Sequence, residues 1–454
     1  MPYDLDRLGW LQFQQLCSLL LELDAAVPQA AWTGAADEWR FVRREDGLGR
    51  PLLGYELPGP VLIHAAWAAP GRGTSVSAAV ARLAFQQPDQ LRGLRSYVLL
   101  CNGELEPPLQ MAAGDDGLRV GAMGVRELSA RVDALPALRL VMPSLLGLRN
   151  LDDLIGPDVA ARSTLDRPAA VDLSGVFVPT RAYRRALEVL GEHRFAVLTG
   201  PPEMGKTAIA RMLGLARMTT GWEAHECITP QDVARAWRDD VAQVFIADDA
   251  FGSTEYRADA AERWAVEMER LLRRLDDRHW LIWTSRPAPL HAALRRLHRE
   301  RGAERFPSPA RVLVDAGKLT PAEKTLILFR HAKRSELPEG IRGRLRTHGA
   351  RIVQDRHFTP ERIRRLVARL ASGERDVVAA IDTELTTATE AMATSLETLE
   401  REHRHLLVAL LDTPPGPVAE RELTVALRRH HDGPLAHPPA ELVDRLADHF
   451  LRVL

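Results

Sequence analysis

Cysteine is scarce: Cys17, Cys101 and Cys227 are the three in 454 residues. None belongs to a C-x-x-C pair, which argues against a disulfide framework or a zinc site and suits a reducing cytoplasm. Long apolar runs are missing too. No stretch approaches the roughly 18 apolar residues of a membrane span. The start, Met1-Pro2-Tyr3-Asp4-Leu5-Asp6, lacks the basic region of a secretory signal, and polar residues interrupt the apolar stretch behind it. Net charge is nearly absent, formally -1, so the whole molecule is not a polycation. No repeat with a period of about 20–50 residues is visible. These absences point to a cytoplasmic protein with no membrane partner, and the length suits about three domains.

What is present centres on Gly200-Pro201-Pro202-Glu203-Met204-Gly205-Lys206-Thr207, with Ala208 behind it. The octet fits G-x-x-x-x-G-K-[ST] at every fixed position. The apolar run 195–199 before it reads as a buried strand, and Ile209, Met212, Leu213 and Ala216 mark one face of a helix after it. That strand–loop–helix context makes the octet a P-loop. Backbone N–H groups of residues 203–207 converge on phosphate oxygens where the helix dipole favours anions. Pro201 and Pro202 lack N–H groups but sit in the half of the loop that needs no donor. Lys206 is expected to reach the β- and γ-phosphates and Thr207 to ligate Mg²⁺.

Later strands extend the site. Residues 222–227 read as the second strand. Val244-Phe245-Ile246-Ala247-Asp248-Asp249 is a buried strand ending in two acids, the Walker B pattern. It assigns Asp248 to the metal, opposite Thr207, and Asp249 to the attacking water; the plainer reading of Asp249 is a turn cap. Trp280 to Arg286 is a fourth strand ending in Thr284-Ser285-Arg286, and Arg286 is the candidate reader of the γ-phosphate, since a guanidinium is always charged and forked. Such a strand suits the P-loop class with an extra strand between those bearing Walker A and Walker B. Residues 311–315 are expected as the fifth strand. Trp264, Met268, Leu271, Leu272 and Leu275, on a helix expected over 256–275, are simplest as core contacts.

The rest divides around this core. Residues 1–150 read as a small α/β unit. Its helix carries Trp10, Phe13, Leu16, Cys17, Leu20 and Leu21; strands are expected near 60–64 and 96–101, helices at 75–83 and 125–135. Residues 151–175, rich in Pro, Gly and Asp, read as a linker. The NTPase core takes 176–318. It opens with Phe177-Val178-Pro179-Thr180, an apolar segment that either packs against a nucleotide base or staples the next helix. A helical lid takes 319–372, with Thr320-Pro321-Ala322-Glu323 a capping box and Thr359-Pro360 a second helix start. Residues 373–454 read as a helical, winged-helix-like module. Arg330, Lys333, Arg334, Arg342, Arg344 and Arg346 are candidates for nucleic acid, but without interleaved aromatics a solvated face is the better account.

Two resemblances follow. Asp4-Leu5-Asp6-Arg7-Leu8-Gly9-Trp10 and the helix behind it, the strands near Val61 and Tyr97, Val125-Arg126-Glu127-Leu128 and Pro136-Ala137-Leu138-Arg139 resemble restriction-endonuclease-like domains of the Mrr type. That family's metal site uses an acid and a Q/E-x-K triplet. Here the strand reads His64-Ala65-Ala66-Trp67, so Ala66 stands where lysine is needed, and Asp37 and Asp46 read as loop charges. A degenerate domain kept for binding or assembly is the preferred reading. The second resemblance is to STAND-class signalling NTPases, of the novel STAND type found in bacterial conflict systems. It rests on residues 177–180, the octet, Asp248-Asp249-Ala250-Phe251-Gly252, Thr284-Ser285-Arg286 and Phe358-Thr359-Pro360-Glu361-Arg362-Ile363. It implies an ATP/ADP switch with Mg²⁺, held closed by ADP and oligomerising with ATP in antiviral or stress defence, with Pro360 at the nucleotide. A phage or host protein is the implied trigger. The sensor region usual in that class is not visible before residue 454. An ATP-regulated DNA endonuclease and a non-hydrolysing nucleotide-binding scaffold are the competing readings.

Overall fold

The computed structural model describes residues 2–32, 39–48, 52, 56–68, 79, 88–104, 112–113, 118–252, 258–287, 289–291, 293–294, 309–386, 396, 399–413, 416–431 and 433–446. The chain forms two compact units, Met1–Leu154 and Ile155–Leu454. No described helix is long and apolar enough to cross a membrane.

The first unit is built on a mixed sheet of β1 (Trp39–Arg44), β2 (Val61–Ala66), β3 (Ser96–Cys101), β4 (Ala112–Ala113) and β5 (Arg119–Met123), in the order β1-β2-β3-β5-β4. β2, β3 and β5 run parallel, with antiparallel strands at both edges. Every residue of β2 and β3 is buried, as expected of strands covered on both faces. The helix Trp10–Ala25 shares its core with them through Phe13, Leu16, Cys17, Leu20 and Leu21, the stripe its sequence announces. Asn102 ties the strand ends, donating to Asp6 Oδ1 (2.6 Å) and Ala68 O (2.8 Å). Asp46 is exposed in the turn after β1, and Ala66 ends β2. Asp37 and, except for Ala79, the helix expected at 75–83 lie outside the described residues.

The second unit holds a fully parallel sheet of β6 (Phe195–Thr199), β7 (Glu223–Glu226), β8 (Gln243–Ala247), β9 (His279–Ser285) and β10 (Leu313–Asp315), in the order β10-β6-β9-β8-β7. β9 therefore lies between the strand that delivers the P-loop and the strand that ends in Asp248, as the sequence predicts. The fifth strand is shorter than expected, because Pro309–Val312 forms a helical turn before it. Trp264 and Trp283 meet edge to face, 5.1 Å between ring centres, so the helix Ala258–Arg274 serves the core as expected.

Residues 151–175 differ from the expected linker. Beyond Leu154 they form helices Pro157–Arg162 and Arg167–Ser174 and close the outer edge of β7. Thr164 N and Leu165 N both donate to Ala224 O, and Ala224 N donates to Ser163 Oγ at 3.0 Å. The Pro, Gly and Asp that read as a connector are helix starts: Pro157 opens one helix, and Asp166 accepts from Ala169 N at 3.2 Å to cap the next.

The helical region expected as a lid comprises Pro321–Arg334, Glu339–Thr347, Gly349–Gln354, Pro360–Ala371 and Val377–Thr386. Both predicted caps form: Thr320 with Glu323 reciprocally, and Thr359 Oγ1 accepting from Arg362 N. The lid core runs past the expected boundary at 372, since Val377, Ala380, Ile381 and Leu385 pack into it. Arg401–Leu411, Glu420–His430 and Pro439–Leu446 then form a separate core of their own, around Leu399, Leu406, Leu427 and Leu442. Leu396, just before this core, is exposed.

Candidate nucleotide site

The loop geometry follows from its glycines. Gly200 has φ +147°, and a Cβ there would lie 2.9 Å from Gly317 N, so only glycine lets the loop pass this close to the backbone after β10. Gly205 at φ +85° turns the chain into the helix Lys206–Met218. Glu203 at φ +63° takes the same left-handed conformation without being glycine.

Lys206 is 7% exposed. Its Nζ donates to Gly200 O (2.9 Å) and Pro201 O (2.8 Å), so the loop carbonyls aim the ammonium across the cradle. Burial lowers its pKa to about 8, against the opposing pull of Asp249 and Asp248. Thr207 Oγ1 donates to Asp248, 2.8 Å to Oδ1 and 3.1 Å to Oδ2. The hydroxyl at the helix start and the acid ending β8 thus meet, although they lie 41 residues apart. An all-oxygen pair of this kind fits a hard divalent cation. Thr207 and Asp248 would hold Mg²⁺, which would supply charge neutralisation at the phosphates.

Thr284, at the end of β9, organises both acids. Its Oγ1 donates to Asp248 Oδ1 (2.5 Å) and accepts from Asp249 N (2.8 Å). Thr284→Val should therefore leave the Asp249 N–H without its partner and take one of two hydroxyl donors from Asp248 Oδ1. The expected loss is about 2 kcal/mol, read as a lowered denaturant midpoint of the full chain; an unchanged midpoint would refute the role. The turn after β8 closes through Gly252 N to Asp249 O, 2.9 Å. Asp249 itself, at φ +44°, faces the cleft. Burial and then the neighbouring Asp248 raise its pKa, opposed by Arg286 and Lys206. Burial lowers the pKa of Arg286, opposed by Asp249 and Glu203.

Residues 177–334 match the model of the family described as Novel STAND NTPase 3. This segment is a STAND-class P-loop NTPase domain. Comparison with curated protein sequences gives no match. Among solved structures, the chain is similar to Thermotoga maritima RuvB in its R170A form (17% identity, covering 62% of this chain and 85% of that one, TM-score 0.33). It is also similar to a Walker-type ATPase of Pyrococcus abyssi (15%, 60% and 89%, TM-score 0.42). A third is the Aeropyrum pernix ORC1 protein, solved in complex with DNA (13%, 62% and 86%, TM-score 0.37). The strand order of this sheet, not these distant likenesses, establishes the topology of the NTPase domain.

A cleft of about 780 Å³ runs from the STAND domain's P-loop to the lid. Pro202, Glu203, Gly205, Lys206, Thr207, Ala208, Asp249 and Arg286 line one side, and His331, Arg334, Pro360, Glu361 and Arg364 another. Pro360 thus lines the cleft, where the resemblance would have it contact a nucleotide. Asp248 faces a smaller cavity of about 240 Å³ that it shares with Asp249. Phe177 and Val178 do not line the large cleft: Phe177 packs edge to face on Tyr183, 5.3 Å between centres, and Val178 belongs to the lid core. Val176 lines it instead, with Ala169 and Leu173 from the stretch read as a linker. Met204 is buried beneath the loop. His331, held near pKa 4 by burial and by Arg364 against Glu361, enters the cleft uncharged; no sequence motif singles it out.

Proposed function

We propose that the chain is an ATP-dependent signalling switch that hydrolyses slowly and acts in bacterial antiviral or stress defence in the cytoplasm. The observation that carries this is one cleft walled by Lys206, Thr207, Asp249 and Arg286 on one side and by the lid's Pro360 and Glu361 on another. A ligand bound by the P-loop would touch both bodies, so a change at its terminal phosphate has a route to the lid. In this reading Gly200 to Ala208 cradle the phosphates of ATP or ADP, Thr207 and Asp248 hold Mg²⁺, Asp249 serves the attacking water and Arg286 reads the γ-phosphate. The trigger is a phage or host protein. Residues 1–150 serve binding or assembly as a degenerate nuclease-like domain, a role supported by Ala66 at the end of β2, where the Mrr-type pattern needs lysine. DNA cleavage is not part of the proposal.

The deciding experiment is size-exclusion chromatography with light scattering, in Mg·ADP and in Mg²⁺ with a non-hydrolysable ATP analogue. A monomer-sized species in ADP and a multiple of that mass in the analogue are expected. The same mass in both would favour a nucleotide-binding scaffold.

A further inference from the structure

The octet contains one residue that phosphate binding does not explain. Glu203 adopts φ +63°, where a side chain is strained. Its carboxylate is 8% exposed, inside a loop that has to receive polyanions. Its Oε1 is fully buried and makes no hydrogen bond among the described residues. A buried anion next to a phosphate cradle opposes binding unless cations hold it.

The cations come from two bodies. From the lid, Arg365 Nη1 stands 3.8 Å from Glu203 Oε1, and Thr359 Oγ1 donates to Oε2 at 3.4 Å. Arg362, one turn on from Thr359, also feels the charge of Glu203. Arg365 is itself braced by Glu384, 3.4 Å from its Nε. From the sheet side, Arg286 feels Glu203 as well as Asp249. One P-loop carboxylate therefore sits among the lid arginines and the arginine at the end of the fourth strand.

We propose that Glu203 is a specificity-determining residue, an internal carboxylate that competes with the terminal phosphate of a nucleoside triphosphate for Arg286 and Arg365. The inference rests on the proposed nucleotide site and adds a discriminator to it. A diphosphate leaves the contacts of Glu203 with Arg365 and Thr359 in place, and the lid stays tied to the loop through them. A triphosphate brings a second anion to the same cations and displaces Glu203 from them. The carboxylate thus favours diphosphate and makes release of the lid tie a consequence of triphosphate binding.

The test compares affinities of the full chain for Mg·ADP and for a non-hydrolysable Mg·ATP analogue by calorimetry. Glu203→Gln should raise triphosphate affinity relative to diphosphate by about tenfold, the scale of one charge-assisted contact. Arg365→Gln should move the ratio the other way, because the triphosphate then has one lid cation fewer to take from Glu203. Retained diphosphate binding reports that each variant is folded. Removing simple repulsion would strengthen both nucleotides equally, and an equal change, or no change, in Glu203→Gln overturns the proposal. If wild type binds nucleotide and Lys206→Ala does not, an unmoved ratio defeats this inference alone. If wild type binds neither nucleotide, the proposed function falls and this falls with it.

Discussion

Lys206→Ala is expected to lose ATP and ADP binding, with affinities reduced by about a thousandfold or more. Lys206 is buried with its ammonium held by Gly200 O and Pro201 O, so the cradle presents one pre-aimed charge. Two phosphate contacts at about 1.5–3 kcal/mol each give a loss of roughly 4 kcal/mol, about three decades in affinity. The same residue sets a pH dependence. Its pKa of about 8 before binding rises when phosphate oxygens surround it, so binding takes up a proton above pH 8. Affinity should be flat below that pH and fall as pH rises through it. Calorimetry at pH 7, 8 and 9 reads both effects. Unchanged affinity in Lys206→Ala would sink the site, and a flat profile for wild type would show that the amine is not desolvated.

The legible parts of this protein were those whose chemistry is local. Eight consecutive residues carry the P-loop, and a buried strand ending in acid needs no partner to be recognised. Asp248 was readable because β8 delivers it, and its contact with Thr207 follows from strand order. What was illegible depends on tertiary direction. Glu203 counted as a backbone donor, and nothing in the octet says that its side chain turns to the lid. Thr284 lies in a polar triplet in which Arg286 alone carries a charge, yet Thr284 is the residue that grips both acids. Phe177 and Val178 are apolar before a helix, and apolarity alone does not distinguish a base platform from a helix staple; they are buried in the protein, while Val176 reaches the cleft. The helices of 155–174 were hidden because helix-start residues and linker residues have the same composition.

Asp249→Asn should separate binding from turnover. Asp249 and Asp248 are adjacent in sequence but differently employed. Asp248 accepts from Thr207 and Thr284, so its carboxylate is engaged by two hydroxyls. Asp249 lines the cleft that Lys206 and Arg286 also line, with only its backbone N–H engaged by Thr284. Burial and the charge of Asp248 make it a stronger proton acceptor than an ordinary aspartate. In the proposed reaction a carboxylate so placed would take the proton of the water that attacks the γ-phosphoryl group, or orient that water; the amide of asparagine keeps the shape and loses the basicity. Steady-state phosphate release should fall by about 10²–10⁴-fold in the variant, while affinity for the ATP analogue stays within a few fold of wild type. The pH profile provides an independent check. Protonating Asp249 removes the acceptor, so wild-type turnover should fall as pH drops through the pKa that Asp249 has in the Mg²⁺-loaded site. In Asp249→Asn the acid limb should vanish together with most of the rate. A variant that keeps wild-type turnover would reduce Asp249 to a turn residue.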